Sequence, residues 1–490
     1  MTNPDLAALL HDVGTLRASV LSEGERIQAR WSGWVEAAAF APSAANFAHY
    51  LALRRHDLRG VQRSLMEVGL SSLGRAESRV MPTLDAVAAL LAAAQGAPWN
   101  PASPAAFHAG EARIAARADD LLGAPSSHSP VRLLVTLPSE AADEPEFMTR
   151  LASLGVEAVR INCAHDDEAT WARMIAHVGR AAEATGRRMR IMMDLAGPKI
   201  RTGASRDAKG LRRVAAGDEL AITAPGQLDR APHKMPAIEC TLTEALPLTE
   251  PGQRILMDDG KLDMVVLSRE PWGVVVRIVA GPDEKGYKLK PEKGVNFPDT
   301  EIDVPALTDV DRAVVRFVAH HADGVEFSFV QDTEDVRQLQ DILAQERPDD
   351  WRRIGLVLKI ETKRAVRNLP DLLVRAAGRQ PTAIMIARGD LAVELGFVRL
   401  AEMQEEILWL CEAAQVPVIW ATQVLESFLK TGVASRGEMT DAAMAARAEC
   451  VMLNKGPFLF EGISELDRLI GRMSAHISKK SHLLRPLRTW

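Results

Sequence analysis

The 490-residue chain has no excess of positive charge: 59 lysines and arginines against 65 acids leave a formal net charge of -6, with a pI near 6.1. Attraction to phosphate backbones or anionic membranes needs clustered cations, so neither nucleic acid nor a membrane surface is an expected partner. Cysteine is scarce. Cys163, Cys240, Cys411 and Cys450 stand far apart, without the CxxC pairs of zinc or redox sites and without the density of a secreted disulfide scaffold, which points to a reducing cytoplasm. No apolar run has the length of a membrane-crossing helix; the alanine and leucine cluster near residues 86 to 94 is far too short. The opening MTNPDLAALLHDVG carries Asp5 and no basic stretch before an apolar run, unlike a secretory leader. What remains, 47% hydrophobic and 25% charged residues, is the mixture of a soluble globular enzyme. The length implies about two to four folding units.

Residues 1 to 122 read as helical, with apolar residues at three-and-four spacing in LAALLHDVGTLRASVL and again in NFAHYLALRRHDLRGVQRSLMEVGL. The Pro-rich APWNPASP at 97 to 104 is a break, and GAPSSHSP at 123 to 130 is the expected linker, because proline and small polar residues resist helix and sheet alike. From residue 131 short β-rich runs alternate with helical segments, the pattern of a parallel sheet built from βα units. The runs are VRLLVTL (131 to 137), AVRINCA (158 to 164), RIMMDLA (190 to 196), GVEFSFV (324 to 330), IGLVLKIE (354 to 361), AIMIARGD (383 to 390), PVIWATQ (417 to 423) and CVMLNKG (450 to 456). Eight such runs predict an α/β fold of the TIM (β/α)8 type, with barrel parts at 131–203 and 294–475. Between them, residues 204–293 hold alternating stretches such as DELAIT, RILMDDGKLDMVV and WGVVVRIV, an inserted small β-barrel domain leaving the third strand. It should hang as a lid over the C-terminal rim, where barrel active sites lie. Residues 476–490 form a tail.

Parallel barrel strands are buried on both faces and should be apolar throughout, so polar side chains at their C-terminal ends need a reason. Strand two ends in Arg160 and Asn162, strand three in Asp194, strand four in Ser328, strand five in Lys359 and Glu361, strand six in Arg388 and Asp390, strand seven in Thr422 and Gln423. Each alone fits a satisfied rim charge or a helix cap as well as a site. Together they should converge on one rim. Lys359 and Glu361 are two apart on a strand and share a face. Glu361 and Asp390, from adjacent strands, suit a hard divalent cation that keeps waters and binds substrate oxygens, Mg2+ or Mn2+. ARGDLAVELG turns from strand into short helix, so the amides near Gly389 and Asp390 can meet a carboxylate or phosphate, or the segment is simply an Asp cap on a glycine turn.

VRINCAHD, MDLAGPKIRTG, ILMDDG, KGVNFPD, DVPALTDVD, FSFV, LKIE, IARGDLAVE and ATQVLES, in this order, resemble the pyruvate kinase family across residues 131 to about 475. The resemblance implies phosphoryl transfer from phosphoenolpyruvate to ADP, giving ATP and an enolate that is protonated to pyruvate. It implies Arg160, Ser328 and Lys359 around the phosphoryl group, Glu361 and Asp390 on the divalent ion, and Thr422 near the enolate proton path. The backbone at Gly389 and Asp390 would hold the substrate carboxylate, and Asn162, His165 and Pro138 would approach the nucleotide.

The chain departs from the family's pattern in several places. Ala164 stands where a K+-binding serine is expected, Leu195 follows Asp194, and Lys199 replaces a glutamate, so the Lys199 ammonium beside Asp194 should substitute for K+ and make activity K+-independent. TLPSE after strand one is shorter than the family's loop, NKGP with Asn454 and Lys455 replaces its segment after strand eight, and Trp420 replaces a small residue. No room follows residue 475 for the family's C-terminal effector domain, so sugar-phosphate control is not expected; the helical N-terminal region is the candidate interface for a homo-oligomer. Two other functions are compatible with the chain: a lyase or phosphotransferase acting on an enolpyruvate or 2-oxo acid, which TLPSE and NKGP favour, and a non-catalytic protein that senses phosphoenolpyruvate and contacts a partner through its helical domain, which the unusual N-terminus favours.

Overall fold

The computed structural model describes residues 5–100, 102–125, 129–207, 213–282 and 286–483. Residues 126–128 of the expected linker and 484–490 of the expected tail lie outside the described residues. Eight parallel strands close into a barrel: β1 (Arg132–Thr136), β2 (Ala158–Asn162), β3 (Arg190–Asp194), β4 (Gly324–Phe327), β5 (Gly355–Ile360), β6 (Thr382–Ala387), β7 (Val418–Ala421) and β8 (Cys450–Leu453). Each matches one of the eight runs read from the sequence. Their near-continuous apolar character follows from burial on both faces; β5 and β6 are buried at every position.

Before the barrel come α1 (Leu6–Arg30), α2 (Ala41–Leu53), α3 (Arg59–Glu67), α4 (Val80–Ala93) and α5 (Pro104–Leu122). The second helical pattern of the sequence is divided between α2 and α3, with the Asp57 carboxylate accepting the Arg59 N–H (3.1 Å) in the turn between them. These helices do not stand apart from the barrel. The Glu36 and Ala37 amides donate to the Gly378 carbonyl at 2.9 and 2.7 Å, Trp31 Nε1 donates to Asp371 (2.8 Å), and Asn46 donates to the Ala413 carbonyl (2.8 Å). One hydrophobic core runs from Val13, Phe47 and Leu84 into the helical shell of the barrel. At the end of α5, Leu121 and Leu122 enter the inner core among Leu134, Met192, Val357 and Ile419, and close the barrel's N-terminal mouth.

The shell helices that matter for the site are α6 (Pro145–Ser153), α7 (Glu168–Thr185), α8 (Asp309–His321), α9 (Thr333–Glu346), α10 (Lys363–Ala377), α11 (Arg388–Leu395), α12 (Phe397–Ala414), α13 (Glu426–Thr431), α14 (Arg436–Ala445) and α15 (Leu459–Met473). Capping boxes at Thr308 and Asp332 start α8 and α9, and Thr362 caps α10, so at these three chain reversals a side chain satisfies the first amides.

Between β3 and α8 the chain builds a seven-stranded sheet from Thr202–Arg206 to Val295–Asn296. It has its own core, including Leu220, Ile255, Met264 and Val276, because alternating apolar residues can bury only one face. Its two stems run side by side: the Thr202 N–H donates to the Lys293 carbonyl (2.7 Å) and the Val295 N–H to that of Ile200 (2.9 Å). The insert thus leaves and rejoins the barrel at the C-terminal rim. Among the described residues, no helix is long and apolar enough to cross a membrane.

Candidate active site

The strand ends bring Arg160, Asp194, Ser328, Lys359 and Glu361 into one buried network. Lys359 Nζ lies 3.1 Å from both Asp194 oxygens, 2.6 Å from Ser328 Oγ and 3.3 Å from Glu361 Oε1. Arg160 donates from Nε to Asp194 (3.0 Å) and to Glu326 (3.1 Å), from Nη2 to Asp194, and from Nη1 to Thr136 Oγ1 (3.0 Å). Ser328 Oγ donates to Asp194 at 3.0 Å. The C-terminal ends of adjacent parallel strands present side chains at one level, which is why residues so distant in sequence meet here.

Burial would by itself raise the Asp194 carboxyl, but Lys359 and Arg160 outweigh it and hold Asp194 below the usual carboxylate range. Burial likewise opposes the Lys359 charge, and Asp194 with Glu361 reverses that, pushing the ammonium upward so that it stays protonated. Glu361 is pushed up to about 6 by burial, against Lys359 and with the added repulsion of Asp390. Its Oε2 accepts the Phe329 N–H at 2.6 Å.

Asp390 sits in the first turn of α11 rather than on β6, whose last residue is Ala387. Its carboxylate lines a cavity of about 540 Å³ with Lys199, Phe329, Thr362 and Glu394, beneath the stems of the insert. Among the described residues no three His, Cys, Asp or Glu side chains converge as a ready metal cage. Glu361 and Asp390 form an acidic pair whose mutual repulsion a divalent cation would relieve, and a two-carboxylate set suits an ion that completes its shell with water and substrate oxygens.

Lys199 does not stand beside Asp194 as the sequence led us to expect. Its ammonium lies 3.7 Å from Asp390 Oδ1, whereas Asp194 is already engaged by Arg160, Lys359 and Ser328. The Gly389 N–H donates to Thr422 Oγ1 at 2.8 Å, which brings the two residues expected at the substrate together. Thr422 and Gln423 have φ of 62° and 59°, a left-handed backbone that costs a non-glycine residue about 1–3 kcal/mol unless its surroundings hold it. Arg388 holds this turn: it donates to the carbonyls of Ala421 (2.9 Å) and Thr422 (2.6 Å), pairs with Asp441 and lies over the Trp420 ring.

A second cavity, of about 270 Å³, opens on the far side of Arg160 and is lined by Asn162, His165, Ser139, Asn454 and Lys455. Asn162 and His165 therefore gather as the sequence implied, together with the altered Asn454 and Lys455. Pro138 lies between two lining residues, Leu137 and Ser139, without lining the cavity itself. Sequence reasoning missed Glu326 and Asp441. A charged residue in the middle of the apolar run GVEFSFV was the available signal for the first; nothing local marks the second, which lies on α14.

Residues 131–457 match the family profile described as pyruvate kinase, barrel domain. Among curated relatives, the chain is 32% identical over 351 residues to a pyruvate kinase of Methylorubrum extorquens, covering 69% of this chain and 67% of that one. It is 31% identical over 315 residues to a pyruvate kinase of Agaricus bisporus (63% and 56%), and 30% identical over 308 residues to one of Geobacillus stearothermophilus (62% and 49%). A parallel barrel with a β insert at its rim and cations gathered around buried carboxylates defines the class, and this chain belongs to the pyruvate kinase family. It spans little more than half the length of the first curated relatives, 56% and 58%. The helices up to residue 122 fall outside the matched segment.

Proposed function

We propose that the protein transfers a phosphoryl group from phosphoenolpyruvate to ADP, yielding pyruvate and ATP. The observation that carries this is the Lys359 ammonium, buried and shared by Asp194, Ser328 and Glu361 beside Arg160. Phosphoryl transfer has little covalent chemistry for a protein to perform; it needs fixed positive charge around the moving group, in a site that reorganises little. Lys359 and Arg160 supply that charge, and Ser328 adds a hydroxyl. Glu361 and Asp390 would hold Mg2+ or Mn2+, which when bound supplies further charge neutralisation on the phosphoryl and enolate oxygens. The Gly389 and Asp390 amides at the start of α11 would receive the substrate carboxylate, the Gly389 N–H exchanging its bond to Thr422 Oγ1 for the substrate, and Thr422 is the candidate for delivering a proton to the enolate. The cavity with Asn162, His165 and Lys455 is the candidate nucleotide side, next to Pro138. The insert above would exclude water, whose attack would divert the phosphoryl group.

Lys199 beside Asp390 is a fixed cation at the divalent site, and we infer from it, with Ala164 and Leu195, that K+ is not required. Replacing Na+ by K+ should change the rate by less than about twofold, since the positive charge at the metal site is covalently built in; a strong activation would sink that inference.

The purified protein with Mg2+, phosphoenolpyruvate and ADP should form pyruvate. Lys359→Met and Glu361→Gln should each reduce kcat by about 10²-fold or more, the scale of losing one preorganised charge contact. Phosphoenolpyruvate binding without turnover across several nucleotides would instead favour a sensor or a different acceptor.

A further inference from the structure

Glu326 is a buried carboxyl of the strand-end network that the chemistry above does not use. It lies on β4 directly beside Asp194 of β3 in the parallel register, and its side chain is fully buried. Its Oε2 accepts a single N–H, from Arg160 Nε at 3.1 Å, and its Oε1 has no hydrogen-bond partner among the described residues. Asp194, by contrast, receives Arg160, Lys359 and Ser328. An ionised carboxylate in such a place should gather several donors, because leaving its lone pairs dry is costly.

We propose that Glu326 is a positioning residue for Arg160 and acts as a neutral carboxylic acid, accepting a guanidinium N–H without cancelling the charge offered to a phosphoryl group. This rests on the preceding assignment of Arg160 and Lys359 to a phosphoryl group. Those two cations share the carboxylate of Asp194, and Lys359 also meets Glu361, which the same reading commits to the divalent ion; an ionised Glu326 would set a further negative charge directly on Arg160. The groups that interact with Glu326 are Arg160 from β2, Cys163 just after β2, Asp194 from β3, Lys359 from β5 and Cys450 from β8. Burial and the Asp194 charge prevail over the two cations and push Glu326 up to about 7. A bound phosphoryl group adds negative charge and favours the neutral form further. The carbonyl oxygen of a neutral acid still accepts from Arg160, more weakly than an anion would, so the geometry is kept while the charge is not lost.

Infrared difference spectra at pH 6 test this on the full chain without any turnover. The wild-type minus Glu326→Gln difference should contain a protonated-carboxyl stretch, over the background of the raised Glu361 and Glu412 carboxyls that both proteins share. In steady-state assays, Glu326→Leu, which has no acceptor, should lower kcat/KM for phosphoenolpyruvate about 10- to 100-fold, the equivalent of one hydrogen bond to a charged group. Glu326→Gln should recover most of that loss and, at pH 8.5, bind phosphoenolpyruvate more tightly than the wild type, whose Glu326 is then ionised. Circular dichroism establishes that each variant folds; a Glu326→Leu that does not fold leaves the spectrum and the Gln variant to decide. No protonated band lost on replacing Glu326, or a Gln variant as impaired as Leu, would overturn the proposal. A wild type that shows the band but neither binds nor converts phosphoenolpyruvate would overturn the functional assignment and leave the neutral acid standing.

Discussion

Leu121 and Gly355 provide a quantitative check on how the N-terminal helices meet the barrel. Leu121 is 4% exposed in the inner core, and truncating such a leucine costs about 2–5 kcal/mol through lost transfer energy and the cavity left behind. A Cβ at Gly355 would lie 2.0 Å from Leu121 Cδ1 and 3.5 Å from the Asp323 carbonyl, so Gly355→Ala alone should cost about 1–3 kcal/mol by overpacking. Leu121→Ala removes the atom that clashes, and the new methyl at 355 fills part of the cavity. The double variant should therefore be no less stable than Leu121→Ala, with a coupling energy of about 1 kcal/mol or more. Equilibrium urea unfolding, followed by tryptophan fluorescence and far-UV circular dichroism, measures all four proteins at constant m. Additive costs, within about 0.5 kcal/mol, would mean that α5 does not close the barrel as described.

Asp441→Asn should loosen Arg388 and with it the left-handed turn at Thr422; we expect kcat to fall about tenfold, as when one charge-assisted hydrogen bond is lost, with phosphoenolpyruvate affinity less affected, read by steady-state kinetics and calorimetry. Glu412, held among Glu77, Glu449, Lys479 and Lys480, is pushed up to about 7, with burial the largest cause. Its folded value is raised above the unfolded one, so its contribution to stability is fully present below about pH 4.5 and is lost as pH rises through about 7. Glu412→Gln should thus be more stable than the wild type at pH 8, by at most about 3 kcal/mol, and this advantage should shrink towards pH 5 in chemical denaturation series; an advantage independent of pH would refute the assignment. Gly110→Ala places a methyl 2.1 Å from the Ser78 carbonyl and 2.8 Å from the Gln415 side-chain amide and should cost about 1–3 kcal/mol in thermal unfolding, since the Ser78 backbone resists displacement.

The buried strands were legible because a parallel strand covered on both faces must be apolar over its whole length, and turn residues mark its ends. For the same reason the polar residues at those ends stood out, and Arg160, Ser328, Lys359 and Glu361 could be named before any coordinates. The β insert was legible from its period-two alternation, which differs from both barrel strands and helices. The N-terminal segment was legible as helix, since three-and-four spacing is a local property. Its destination was not: nothing in the spacing of α5 says that Leu121 and Leu122 enter a barrel mouth rather than a helical bundle.

The amino-acid sequence by itself determined the eight barrel strands, the β insert, the family and the cations and carboxylates of the rim, because hydrophobic period and strand-end polarity are written along the chain. Only the tertiary structure decided which charge meets which. Lys199 could pair with Asp194 or Asp390 until the occupied shell of Asp194 excluded the first. Glu326 looked like one acid in an apolar run until its neighbours across the sheet were Asp194 and Arg160. Electrostatic partners are set by distance and burial between strands far apart in sequence, and neither quantity exists until the barrel has closed.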